Sequence, residues 1–252
     1  GGYFQHRPEI FPEILGWAKK FNCVVVTVEY SHFLKGKYPI MINEQHAGFC
    51  WMLEHVKEFG GDPENVVLTG ESGGAQFALN LMFRLKRYGY IPKGVVVSDP
   101  LMDDRAVFDS SNLVKLPAYW SRIHAMQVYY YGAENVGSPY LGPEAFANRA
   151  TIEECKGLPP IVMNVGESDM ERDYVLDFAR KCYAARVPCS VHVWQGCGHG
   201  SLWFTTEGEC RMADRFWNNF YGDIMDCFEY DMRRPWAWDA EKENHVGETM
   251  QA

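Results

Sequence analysis

Gly70-Glu71-Ser72-Gly73-Gly74 match G-x-S-x-G, a spacing that suits a serine hydroxyl to attack on an acyl carbon. The apolar run Asn65-Val66-Val67-Leu68-Thr69 precedes the motif and a helical pattern follows it, so Ser72 falls on a strand-to-helix turn. There a serine takes a strained backbone conformation and the chain passes close to itself, which calls for small neighbours. Gly70 and Gly74 supply that room. The turn also puts Ser72 at a helix N-terminus, where the next backbone N–H, that of Gly73, points at a developing oxyanion. Alone, the pentapeptide also describes a glycine-rich loop. Its weight comes from the flanking strand and helix and from partners downstream.

A serine hydroxyl needs a base. His199 lies in Gly196-Cys197-Gly198-His199-Gly200, just past the strand-like run Ser190 to Trp194, at the end of an open sheet where catalytic groups collect. His46 and His55 fall in a helical pattern and His192 inside a strand, which are structural settings. An acid that holds the imidazole tautomer completes the set, and Val165-Gly166-Glu167-Ser168-Asp169 offers both Glu167 and Asp169. Position after the strand does not separate them: Asp169 is further into the loop, and Glu167 has the longer reach.

These residues need a rigid frame. Cys23 to Tyr30, Asn65 to Thr69, Gly94 to Ser98, Pro160 to Val165 and Ser190 to Trp194 read as buried strands of a parallel sheet. Helical spacing separates them, as in Phe49, Met52, Leu53 and Val56, in Phe77, Leu81, Met82 and Leu85, and in Val175, Phe178, Ala179 and Cys182. The alternation predicts an α/β fold with a doubly wound, mostly parallel sheet. One domain is expected over 1–221. Residues 102–158, rich in Tyr, Trp, Pro and Gly, form an excursion, either an ordinary connection or a lid or substrate wall. Residues 222–252 are expected to be a tail, partly packed through Trp236 and Trp238.

The chain has 252 residues, 47% of them hydrophobic, which is enough for a packed core. A net charge of -9 without any basic run argues against a nucleic-acid partner. No apolar stretch approaches the roughly 20 residues of a membrane span. The eight cysteines lack C-x-x-C spacing, so most are read as free thiols, with a Cys197–Cys210 pair left open. The chemistry calls for no metal and no organic cofactor.

On these motifs the chain resembles the hormone-sensitive-lipase-like branch of the α/β hydrolases, from Gly1 to about Phe204. Gly1-Gly2-Tyr3 looks like the end of that family's H-G-G-G-aromatic loop, and Phe59-Gly60-Gly61-Asp62-Pro63 is similar to its run before the serine. Gly73 replaces the alanine of G-[DE]-S-A-G-G, and Asp169-Met170-Glu171-Arg172-Asp173 matches the D-P-L-x-D-E acid motif loosely. Tyr30 is followed by Ser31-His32, with no L-A-P-E.

The resemblance implies an α/β-hydrolase fold with a triad of Ser72, Asp169 and His199, and oxyanion donors at Gly73, Gly1 and Gly2. It implies a small-molecule substrate: carboxylic esters with small or medium apolar groups, cleaved through an acyl-enzyme. An amidase, formamidase or peptidase would use the same triad, and a binding protein or assembly subunit would keep the fold without turnover. The family's first three strands and helical cap have no counterpart here. The chain is therefore expected to be part of a longer protein, and a protein starting at Gly1 to express poorly or hydrolyse esters weakly.

Overall fold

The computed structural model describes residues 12–31, 35–112 and 117–229. The valine-rich runs become β1 (Val67–Glu71), β2 (Gly94–Ser98) and β3 (Ile161–Gly166), and β4 (Cys189–Trp194) completes one parallel sheet in the order β1-β2-β3-β4. Helices α3 (Gly73–Arg87) and α6 (Arg172–Ala184) fall between strands, and α7 (Arg211–Glu229) follows the last. Alternating strand residues face opposite layers, as the two-residue pleat requires. Val95, Val97, Met163 and Val165 pack in one core with Leu79 and Phe83 of α3 and Phe178 of α6. Val96 and Val162 pack in a second core with Trp17, Phe216 and Phe220. The second layer thus joins α7 to α1 (Pro12–Lys20). Burial on both faces explains why these strands read as continuous hydrophobic runs.

Two sequence expectations need correction. Residues 24–30 are not a strand. They line a cavity of about 380 Å³ together with Val67, Leu68 and Thr69 of β1, and form no ladder with that strand. Residues 222–229, expected to begin the tail, instead continue α7. Phe216, Phe220, Ile224 and Cys227 are buried and recur at helical spacing, so one apolar stripe carries the helix past residue 221. The rest of the tail, 230–252, lies outside the described residues.

The excursion is packed. It contains a 3-10 turn at Asp109–Asn112, α4 (Pro117–Tyr131) and α5 (Ile152–Cys155), which is held by a Thr151–Glu154 capping box. Tyr130, Tyr131, Leu141 and Phe146 join a third core with Met41 of α2 (Ile40–His55) and Phe77 of α3. Buried polar groups fasten it to the rest. The Gln76 amide donates to Tyr131 Oη and to the Ala145 carbonyl at 2.9 Å each, and Asn80 donates to the same carbonyl at 2.8 Å. Within the excursion, Arg149 donates two hydrogen bonds of 2.7 Å to the buried Asp104 carboxylate. All eight cysteines are free thiols, including buried Cys197 and exposed Cys210. No helix among the described residues is long and apolar enough to cross a membrane.

Candidate active site

β1 ends at Glu71 and α3 begins at Gly73, which leaves Ser72 as the single residue of the turn. Its backbone sits at φ 53°, ψ −120°, a conformation that costs a non-glycine residue on the order of 1–3 kcal/mol. Two hydrogen bonds hold it there: the Ser72 N–H donates to the Ser98 carbonyl of β2 at 2.9 Å, and the Gln76 N–H to the Ser72 carbonyl at 2.9 Å. Gly73 is the first residue of α3, and the basic residues Arg84, Lys86 and Arg87 close its last turn, complementing the helix dipole.

A Cβ on Gly70 would lie 2.5 Å from the carbonyl carbon and oxygen of Gly74 and 2.7 Å from the Ala75 nitrogen. These are backbone atoms, and no rotamer change moves them. Gly70→Ala is therefore expected to destabilise the fold by about 3 kcal/mol, the upper end of overpacking costs, read as a lower urea midpoint. An unchanged midpoint would show that the turn yields freely.

The other two groups arrive on loops at the same end of the sheet. Asp169 follows β3, and His199 follows β4 on a loop drawn so close that a Cβ on Gly166 would lie 2.4 Å from the Cys197 carbonyl oxygen. Ser72 Oγ lies 2.8 Å from His199 Nε2, and His199 Nδ1 lies 2.8 Å from Asp169 Oδ2. The structure thus brings Ser72, His199 and Asp169 into one relay, with Gly73 beside the serine. Gly1 and Gly2 lie outside the described residues. Glu167 is turned away: it is exposed, and its carboxylate accepts the Gly196 N–H at 2.9 Å.

Asp169 is fully buried. Burial alone would raise its carboxyl, but His199, the Nδ1–H bond and the Glu171 N–H at 3.0 Å hold it below the usual carboxylate range. Burial opposes a charged His199, and the adjoining Asp169 carboxylate outweighs that and lifts the imidazole above the ordinary histidine range.

Three further acids surround the relay, and the sequence reading gave none of them a part in it. Glu71 is buried, and burial raises its carboxyl. Burial pushes Glu171 up to about 8, while its Oε2 accepts the Met102 N–H at 2.9 Å. Asp99 follows β2 at φ 45° and is buried. The signal for it is Ser98-Asp99-Pro100, an acid at the C-terminal end of a buried strand, one strand before Asp169. Among the described residues, no three His, Cys, Asp or Glu side chains are grouped to hold a metal ion.

The chain is similar to known proteins over most of its length. Residues 1–202 match the family model of the alpha/beta hydrolase fold. Hormone-sensitive lipase of Ictidomys tridecemlineatus is 24% identical over 106 residues, which cover 42% of this chain and 14% of the lipase. Esterase LipI of Mycobacterium tuberculosis (strain ATCC 25618 / H37Rv) is 27% identical over 189 residues, 71% of this chain and 56% of that protein. The chain thus spans less than two thirds of the length of either relative. A solved structure titled bacterial heroin esterase superposes with a TM-score of 0.80 at 25% identity, covering 91% of this chain and 73% of that one. With four parallel strands, a strained serine turn and a family match that spans most of the sequence, the chain belongs to the α/β-hydrolase fold family.

Proposed function

We propose that this chain carries the catalytic residues of a serine carboxylesterase that cleaves esters of small or medium apolar groups through an acyl-enzyme. One observation carries the reading: the unbroken Ser72–His199–Asp169 relay, 2.8 Å at each step, on a strained turn at a helix N-terminus. His199 Nε2 takes the Ser72 proton as Oγ attacks the ester carbonyl. Asp169 keeps the other ring proton on Nδ1 and stabilises the imidazolium. The Gly73 N–H holds the oxyanion, joined by Gly1 and Gly2 on the family resemblance. His199 then protonates the leaving alcohol, and a water activated by His199 releases the acid. The named esterases among the relatives favour an ester over an amide leaving group.

The excursion serves as the substrate wall. Its core includes Leu101, Phe77 and Met170, which lie within five residues of Asp99, Ser72 and Asp169 respectively. The test is fluorophosphonate labelling of the full-length protein, with turnover compared on p-nitrophenyl esters of graded acyl length and on matched anilides. Labelling with preference for esters is the expected result. Labelling with preference for anilides would make it an amidase, and no labelling would make it a binding protein.

A further inference from the structure

Asp99 is outside the relay, yet it touches the loops that carry two of its members. Its N–H donates to the Asn164 carbonyl of β3 at 2.8 Å. Its Oδ1 accepts the Gly166 N–H at 3.1 Å, at the start of the Asp169 loop. Its Oδ2 accepts the N–H of Gly200, next to His199, at 3.0 Å, and the Ser98 hydroxyl at 3.2 Å. The Asp169 carboxylate stands close enough for its charge to raise the Asp99 carboxyl. Ser98, its chain neighbour, accepts the Ser72 N–H through its carbonyl.

Resting on the esterase reading, we propose that Asp99 is a positioning residue. Through Gly166 and Gly200 it ties the loop that carries Asp169 to the loop that carries His199, and so holds the acid in register with the imidazole. Burial and the Asp169 charge raise Asp99 to about 7. The other titratable groups around the pair are Glu71 at the end of β1, Glu171 after β3, and Cys197 and His199 on the loop after β4. Of these side chains, that of Asp99 alone accepts an N–H at the start of the Asp169 loop and another in the histidine loop.

Asp99→Ala removes both anchoring acceptors, and in the full-length protein kcat is expected to fall about 10²-fold with KM nearly unchanged. Asp99→Asn keeps an oxygen for Gly200 but turns an amide N–H towards that of Gly166, so it should recover only part of that loss. It also removes a charge that raises His199, so the acid limb of the kcat/KM profile should move about one unit to lower pH. Should Asp99→Ala not fold, the Asp99→Asn profile decides alone, with an unmoved limb overturning the proposal. A wild-type kcat in Asp99→Ala, or equal impairment in both variants, would overturn it too. Fluorophosphonate labelling of the unaltered protein tests the esterase reading separately. If that fails, an NMR titration of the His199 Nδ1 proton still reads Asp99: the same shift in Asp99→Asn supports the proposal, and none refutes it.

Discussion

Ser72→Ala is expected to lower ester turnover by about 10⁶-fold and to abolish fluorophosphonate labelling, while the protein stays folded. Ser72 alone combines a position between β1 and α3, a helix N-terminus and a hydrogen bond to an imidazole that is itself fixed by a buried acid. Alanine retains a Cβ at the strained φ of 53°, so the backbone cost is unchanged and only one hydrogen bond is lost, about 1 kcal/mol. Activity should therefore collapse with little change in melting temperature. Mass spectrometry of the labelled wild-type protein places the adduct. An adduct on Ser98, which is buried and donates to Asp99, or on Ser201, which is exposed and donates to the Gly198 carbonyl, would refute the assignment.

Asp169→Asn is expected to lower kcat by up to about 10⁴-fold in a folded protein, because an amide facing Nδ1 favours the wrong tautomer and no longer stabilises the imidazolium. Glu167→Gln should cost less than about threefold, since that exposed side chain bonds only the Gly196 N–H. The pH profile adds a sign. His199 must be neutral to accept the serine proton, so activity rises as pH climbs through the His199 pKa, which the Asp169 carboxylate lifts above the ordinary range. Removing that carboxylate lowers the pKa, so the residual activity of Asp169→Asn should persist to lower pH than that of the wild type. If kcat instead collapsed in purified, folded Glu167→Gln and held in Asp169→Asn, the role of the acid would pass to Glu167.

The fold was legible where burial is two-sided. β2 and β3 are apolar along their buried length apart from Ser98 and Asn164, because a helical layer covers each face, and such runs stand out in a sequence. The same signal misled at Cys23 to Tyr30. Hydrophobicity suggests burial, but these residues are only half-buried or exposed, and a strand also needs a neighbour about 4.8 Å away, where a cavity lies instead. It misled again at residue 221, where the polar residues between Phe220 and Cys227 hid the stripe that keeps α7 against the sheet.

The candidate site divides along a similar line. The sequence by itself determined Ser72, since the glycines, the preceding strand and the following helix are all local, and a turn of that shape depends on residues that adjoin it. It determined His199 nearly as well, through a glycine-rich loop after a strand. The choice between Glu167 and Asp169 was tertiary: two residues of separation mean little until β3 and β4 pair and the Trp194 carbonyl takes the Glu167 N–H. The part played by Asp99 was tertiary as well, because its partners Gly166 and Gly200 are 67 and 101 residues away in the chain. Spacing in the sequence can reveal a turn, but which carboxyl carries a charge depends on burial and on the charges beside it. Both are set only when four parallel strands bring their C-terminal ends together.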